Sequence, residues 1–473
     1  MLFNSFIFAA FFIVVYCLYL SLRNHYRIQN YLLLVASYVF YGYWDNRFLA
    51  LIAISTVIDF VAGLKIEDST SLRSRRFFLA LSIISNLSFL GFFKYFSFFS
   101  DTAIQVLTGF GLAADSMTLN IILPIGISFY TFQTLSYSID IYLGRMKATR
   151  NFFDFALFVA FFPQLVAGPI ERASTLLPQI TSPRLLKADQ INAGMFLILW
   201  GYFKKMAIAD NLGEVVTSVF NNYTDYQGLD IVIATLAFTI QIYGDFSGYS
   251  DIARGLSKLM GFELMLNFNL PYFATNPSDF WKRWHISLST WFRDYVYIPL
   301  GGNRTGSLAT YRNLAITMIL CGLWHGAAWN FIVWGAFHGL LLVVYRLMKA
   351  RFSYVLKWLN VSSTMTSTIG IIVMFLLTNI GWIIFRSSSI QQAVYMVTHL
   401  GFASSTETLD FVYDLLFFSF PLLIVQIWQF RTQDLLIPTK LIAWSRVPLY
   451  AAMLALIIVF GERDLSEFIY FQF

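Results

Sequence analysis

The run AITMILCGLWHGAAWNFIVWGAFHGLLLVVYRLM, from Ala315 to Met348, decides how the rest of the chain is read. As one helix it would be about 51 Å long at 1.5 Å per residue, against roughly 30 Å of hydrocarbon in a bilayer. The chain must turn within it, and Gly326–Asn330 is the place. Trp324 and His325 then lie at the deep end of a hairpin, or at a helix break inside the protein.

The whole chain shares the character of this run. Hydrophobic residues make up 58% of it and charged residues 12%, where an ordinary soluble domain carries about 25% charge. So few charges cannot cover a water-facing surface, so much of the exterior must face lipid. The 50 Phe, 26 Tyr and 12 Trp suit apolar interiors and headgroup belts. A net charge of +6 raises nucleic acid as a partner. The basic residues form no stripe, however; they sit in short loops between apolar runs, which excludes that class. The two cysteines, Cys17 and Cys321, both lie in apolar segments and offer neither a disulfide framework nor a thiolate cluster. Leu2–Leu22 has no preceding basic region and no small-residue cleavage site, and is expected to be a retained first helix.

Apolar runs of near-spanning length are Phe3–Leu22, Phe48–Leu64, Phe77–Phe99, Ile121–Tyr142, Ile231–Tyr243, Ala315–Met348, Ile369–Phe385, Phe411–Phe430 and Pro448–Phe460. Tyr31–Trp44, Phe152–Phe162 and Ile191–Tyr202 are too short to cross untilted and read as half-helices or re-entrant pieces, tolerable where other protein or a water-filled cavity satisfies their backbone. Basic loops after alternate runs (Arg23 and Arg27; Lys65, Arg73, Arg75 and Arg76; Arg145, Lys147 and Arg150) place those loops in the cytoplasm. The segment 271–312, with Lys282, Arg283, Arg293, Arg304 and Arg312, is assigned to the same side. Phe473 is then outside.

Five histidines are present. His25 sits in a basic loop and His399 near a helix end, where both are bystanders. His325 is far from either end of its run. A buried imidazole tends to stay neutral and can take a proton from a hydroxyl, so it is read as a candidate base; a packing histidine bonded across helices is the alternative. His338 would be about 20 Å along and 220° around from His325 on a straight helix, approaching it only if the helix breaks. No carboxylate or thiolate ligand set accompanies the pair, and no metal is expected. Cys321 shares a face with His325 but reads as a small buried hydrophobe.

The stretch Asp279-Phe-Trp-Lys-Arg-Trp-His-Ile-Ser-Leu-Ser-Thr-Trp-Phe-Arg-Asp-Tyr295, if helical throughout, lines up Trp281, Trp284, Ser287 and Trp291 with His285 beside them. It reads as an interfacial helix that either grips an anionic or pantetheine-bearing donor or anchors the membrane surface. Asp245 and Asp251 fall at the end of the apolar run Ile231–Tyr243, with Arg254 placed to pair with Asp251. Phe161-Phe-Pro-Gln-Leu-Val-Ala-Gly-Pro-Ile-Glu-Arg172 has a proline at each end of a short apolar piece and should break a re-entrant element.

Together these segments resemble the membrane-bound O-acyltransferase (MBOAT) superfamily, and within it the AlgI-like branch of alginate O-acetylation proteins, related to the DltB D-alanyl transferases. Carrying the resemblance are Leu123-Pro-Ile-Gly-Ile-Ser-Phe-Tyr130, Phe162-Pro-Gln-Leu-Val-Ala-Gly-Pro169, Tyr243-Gly-Asp-Phe-Ser-Gly-Tyr-Ser-Asp251, Phe280-Trp-Lys-Arg-Trp-His-Ile-Ser-Leu-Ser289, Arg293-Asp-Tyr295, Leu300-Gly-Gly-Asn-Arg304, Leu323-Trp-His-Gly-Ala327 and Tyr470-Phe-Gln-Phe473. Gln164 departs from the histidine expected of alginate-type members. The resemblance implies an all-α polytopic fold of about eleven crossing helices plus re-entrant segments around a central funnel or channel, one integral-membrane domain over residues 1–473. It implies His325 as the active-site histidine and His285 as its partner.

The expected function is transfer of an acyl group, acetyl foremost, from a cytoplasmic donor (acetyl-CoA or an acyl-carrier thioester) to an extracytoplasmic polysaccharide such as alginate. A periplasmic or extracellular acyltransferase partner would complete the transfer, with membrane lipid as surroundings and the bacterial inner membrane as location. The alternatives are D-alanyl transfer to teichoic acid, or polysaccharide export without chemistry. Besides His325 and His285, the expected site includes Trp281, Arg283, Trp284, Ser287, Trp291, Arg293, Asp294, Trp324 and Asn330. Gly322 and Ala327, small and next to His325, are expected to border a cavity joining the two histidines to the cytoplasmic mouth.

Overall fold

The computed structural model describes residues 1–112, 121–166, 168–304, 306–358, 360–461 and 468–469. Phe473 and the motif from Tyr470 lie outside the described residues. Among those residues the chain is helical, with only an isolated bridge between Gly228 and Leu400. Among the described residues seven helices are long and apolar enough to cross a membrane: Asn46–Asp68, Leu72–Gly109, Leu229–Leu259, Trp329–Phe352, Ser363–Arg386, Thr408–Thr432 and Ala443–Phe460. Phe6–Ser21 is apolar but shorter. The protein is a multi-pass membrane protein. Its chain forms two compact units, Met1–Gly194 with Ala253–Met265, and Met195–Ile252 with Leu266–Phe473.

The first unit holds α1 (Phe6–Ser21), α2 (Tyr26–Gly42), α3 (Leu49–Asp68), α4 (Leu72–Leu90), α5 (Phe96–Gly109), α6 (Ile127–Tyr142), α7 (Phe152–Ala160), α8 (Phe162–Leu165), α9 (Ala173–Ile180) and the start of α10 (Ala188–Tyr202). α1 begins where the Ser5 hydroxyl accepts from the Phe8 N–H, and α7 where the Asn151 side chain accepts from Phe153 and Asp154. Lipid offers helices no hydrophobic drive to associate, so polar side chains join them. Asp59 of α3 is buried and accepts from Ser82 and from Asn86 (2.8 Å) of α4, and Thr134 of α6 donates to Asn86 (3.2 Å). The expected break at the proline-flanked segment is present: α7 stops at Ala160 and α8 lasts one turn. Gly126 starts α6 at φ +77°, where a Cβ would come within 2.5 Å of the Leu165 carbonyl oxygen, so only glycine fits.

The second unit holds the rest of α10, then α11 (Asp210–Asn221), α12 (Leu229–Leu259, up to Ile252), α13 (Pro277–Arg283), α14 (Ile286–Phe292), α15 (Ser307–His325), α16 (Trp329–Trp358), α17 (Ser363–Arg386), α18 (Ile390–Thr398), α19 (Thr408–Thr432) and α20 (Ala443–Phe460). α12 carries the apolar run Ile231–Tyr243 on through Asp245 and Asp251 to Leu259. α12 continues because its acidic residues meet buried cations from a π-helical turn at 203–209: Lys204 bonds Asp251 (2.7 Å), and Lys205 bonds Asp245 (2.6 Å) and Asp210 (2.8 Å). A buried charge paired in this way need not seek water. Asp251 thus takes Lys204, a partner that the spacing to Arg254 did not suggest.

α15 and α16 form the hairpin foreseen for Ala315–Met348, separated at residues 326–328. They approach through glycines. A Cβ at Gly335 would lie 2.3 Å from the Met318 carbonyl oxygen, and one at Gly322 would lie 2.2 Å from that of Phe331. Gly335 and Gly339 make a G-x-x-x-G face of the kind that lets membrane helices touch backbone to backbone. Gly322 therefore does not border a cavity, as the sequence suggested; it packs against α16.

Candidate active site

His325 is the last residue of α15, because Gly326 takes an extended conformation (φ −160°, ψ 154°) and ends the helix. The imidazole is 2% exposed. Around it stand Trp324 and Trp334, each with ring centroid 5.0 Å away, and Phe385 at 5.4 Å, all edge-on. Asn330, in the first turn of α16, donates to the Ser387 carbonyl (2.8 Å) and so ties the end of α17 to the hairpin break.

His285 reaches this place by a route the sequence did not indicate. The continuous helix expected from Asp279 to Tyr295 is broken: α13 ends at Arg283, and His285 itself adopts a left-handed backbone (φ 42°, ψ 56°) before α14 begins. Asn267 holds the break open. Its carbonyl accepts from the Ile286 N–H (2.9 Å), and its side-chain oxygen accepts from the Ser287 hydroxyl (2.9 Å) and N–H (3.2 Å). Trp284, His285, Ser287 and Trp291 are consequently buried, so the segment is a broken element packed within the protein and not one continuous helix. The His285 ring sits 6.3 Å from that of His325, 5.8 Å from Trp324 and 4.6 Å edge-on from Phe246. His285 is in none of the candidate membrane-crossing helices, and burial pushes its imidazole down to about 3, which favours the neutral form.

The other expected residues divide. Trp281 joins the cluster through Trp334 (5.8 Å), and Trp284 joins it through Trp382 (4.8 Å). Arg283 is engaged by Asp279 (2.8 Å) and Arg293 by Asp294 (2.7 Å). Trp291 leans on Tyr295 at 5.1 Å. His25 and His399 are exposed. Among the described residues no three His, Cys, Asp or Glu side chains converge as a metal site would require. Sequence reasoning passed over Trp334, Phe385, Phe246 and Asn267, and allowed His338 near His325 only if the helix breaks. The break brings it near: Trp334 touches His325 on one side and His338 (4.7 Å) on the other. The signal was the four-residue spacing of Asn330, Trp334 and His338, which puts them on one face of α16.

Two neutral-capable imidazoles in a dry aromatic setting can remove a hydroxyl proton and donate to a carbonyl oxygen, the two needs of acyl transfer. Comparison with known proteins gives the family. The chain belongs to the membrane-bound O-acyltransferase family, whose model matches residues 83–385 and so spans both histidines; it is an O-acyltransferase. Among its relatives is the "probable alginate O-acetylase AlgI" of Pseudomonas aeruginosa, 44% identical over 83% of this chain and 73% of that one. The peptidoglycan O-acetyltransferase of Helicobacter pylori is 35% identical over 76% of this chain and 72% of its own. The teichoic acid D-alanyltransferase of Bacillus subtilis is more distant, 29% identical over 56% and 69%.

Proposed function

We propose that the chain, acting as one membrane domain, takes an acetyl group from a cytoplasmic thioester, acetyl-CoA or an acyl carrier, and delivers it for O-acetylation of an extracytoplasmic polysaccharide of the alginate type. The observation that carries this reading is the pair of buried imidazoles with ring centroids 6.3 Å apart, together with the likeness to the O-acetylases. In the proposed step an acceptor hydroxyl, on the polymer or on a partner acyltransferase, attacks the thioester carbonyl carbon. His325 takes the hydroxyl proton, and neutral His285 donates its N–H to the carbonyl oxygen as that oxygen gains charge. The C–O bond forms, the C–S bond breaks, and the thiolate leaves with the proton held by His325. Trp324, Trp281, Trp284 and Asn330 shape the enclosure, while Ser287 fixes the turn that presents His285; Arg283, Trp291, Arg293 and Asp294 are assigned to the donor's charged end.

Mass spectrometry of the surface polysaccharide from cells with and without this protein tests the reading: the acetyl ester is expected only where the protein is present, and an unchanged polymer would overturn it. We place the protein in the bacterial inner membrane with the loop at 65–76 in the cytoplasm, following its basic residues. Ser74→Cys is accordingly expected to resist an impermeant thiol reagent in spheroplasts and to react after permeabilisation. Labelling before permeabilisation would reverse the orientation.

A further inference from the structure

The acyl-transfer step leaves one deeply buried acid without a task. Asp59 lies near the middle of the membrane-crossing helix Asn46–Asp68 and is 0% exposed. Among the described residues no basic side chain pairs with it; the groups that bond its carboxyl, Ser82, Asn86, Thr134 and Ser138, are all neutral. A carboxylate at that depth is costly unless its charge is matched. A proton or a cation must therefore accompany it.

The surroundings are built from three helices. Ser55 and Asp59 stand four residues apart on α3, and Ser82 and Asn86 four apart on α4, while Thr131, Thr134 and Ser138 follow one another at steps of three and four on α6. Each set therefore shares one face of its helix. All of these side chains are at most 1% exposed. The Thr131 hydroxyl has no hydrogen-bond partner among the described residues, although buried hydroxyls in native proteins are nearly always satisfied. Three further contacts are long: Ser55 to the Asn86 side-chain oxygen at 3.1 Å, Thr134 to the same oxygen at 3.2 Å, and Ser138 to Asp59 at 3.4 Å, where an O–H···O bond spans about 2.5–3.0 Å. Oxygens that surround a hard cation at about 2.3–2.6 Å, at right angles to one another, lie roughly 3.3–3.7 Å apart. The long contacts are already close to that spacing.

The chemistry of the ion follows from the donors. Carboxylate, amide oxygen and hydroxyls all retain lone pairs, and oxygen-only sets suit hard cations, not the transition metals that take imidazole or thiolate. A single carboxylate balances a single charge, so a divalent ion would leave the buried site positive. A proton needs one acceptor and gives no reason for hydroxyls converging from three helices. We propose that Asp59 and Asn86, with the hydroxyls that α3, α4 and α6 turn toward them, bind a monovalent cation of sodium's size, which ties the three helices together within the first unit. Such a site is independent of acyl transfer.

Radioactive sodium is the probe, with the full chain in nanodiscs in a mildly alkaline, sodium-free choline buffer and empty nanodiscs subtracted. Saturable binding is expected, displaced by unlabelled sodium and lithium and not by choline. The unfolding midpoint should climb with sodium beyond its value in choline at equal ionic strength, as for any ligand that binds only the folded state. Asp59→Asn keeps the shape and removes the charge; it should weaken sodium about a hundred-fold or more and abolish the sodium dependence of the midpoint. Should that variant not fold, Thr131→Val and Ser138→Ala keep the charge and remove one oxygen each, and either should weaken sodium roughly three- to ten-fold. Absence of saturable sodium binding by the wild type would overturn the proposal and leave a proton as what neutralises Asp59. Binding that survives Asp59→Asn, or an affinity unmoved by both hydroxyl substitutions, would overturn it equally.

Discussion

His325→Ala is expected to leave the protein in the membrane at near-normal abundance and to abolish polysaccharide acetylation. Loss of a general base slows a reaction typically by about 10²–10⁴-fold, which in whole cells is loss of the product ester. The fold should survive because His325 is the terminal residue of α15, while the hairpin is closed by Gly322, Gly335 and Gly339, and the end of α17 is held by Asn330. His325→Gln, closer in volume and still polar, separates packing from chemistry: it should be equally inactive. Immunoblotting of membranes beside mass spectrometry of the polymer reads both quantities. Normal acetylation by a well-expressed variant would remove His325 from the mechanism.

The second large effect concerns the hairpin. Gly335→Val should deplete folded protein several-fold, because the added carbons would enter the space of the Met318 carbonyl and the Ile319 Cα, 2.3 Å and 3.0 Å from an ideal Cβ. Backbone cannot give way as a side chain can, so α15 and α16 must part. Inserting even small groups into a packed core costs typically about 1–3 kcal/mol, and here the strain falls on the elements that carry His325, Trp334 and His338. Gly322→Trp should fail for the same reason, by unfolding and not by plugging a passage. Fluorescence-detected size exclusion of detergent extracts checks this: a monodisperse, abundant Gly335→Val protein would show that the close approach of the two helices is not needed.

The membrane class and the hairpin were legible because both follow from hydrophobic length, which lipid enforces without reference to tertiary contacts. Two failures have a common cause. Lys204 as a partner of Asp251 was not foreseen because it lies far earlier in the chain, on another helical segment. The helix through Asp279–Tyr295 was drawn unbroken because nothing within it marks Trp284–His285 as a break; no glycine or proline is present, and the device that opens it is Asn267, in another segment. Both depend on partners remote in sequence, where periodicity carries no information. His338 is different. Its nearness to His325 was expected on condition that the helix breaks, and the hairpin supplies that break.

The left-handed backbone at His285 (φ 42°) bears on how this residue can be studied. Histidine, asparagine and aspartate enter that region more readily than other side chains, and glycine enters it freely. Alanine there would lose the imidazole and also strain the turn, by roughly 1 kcal/mol or more, so an inactive alanine variant could not tell a missing proton donor from a displaced Trp284 or Ser287. Asparagine keeps both the backbone geometry and an N–H that can point at a carbonyl, whereas glycine keeps the geometry alone. The pair isolates the side chain's contribution, and it is a comparison that the conformation of one residue imposes on the genetics.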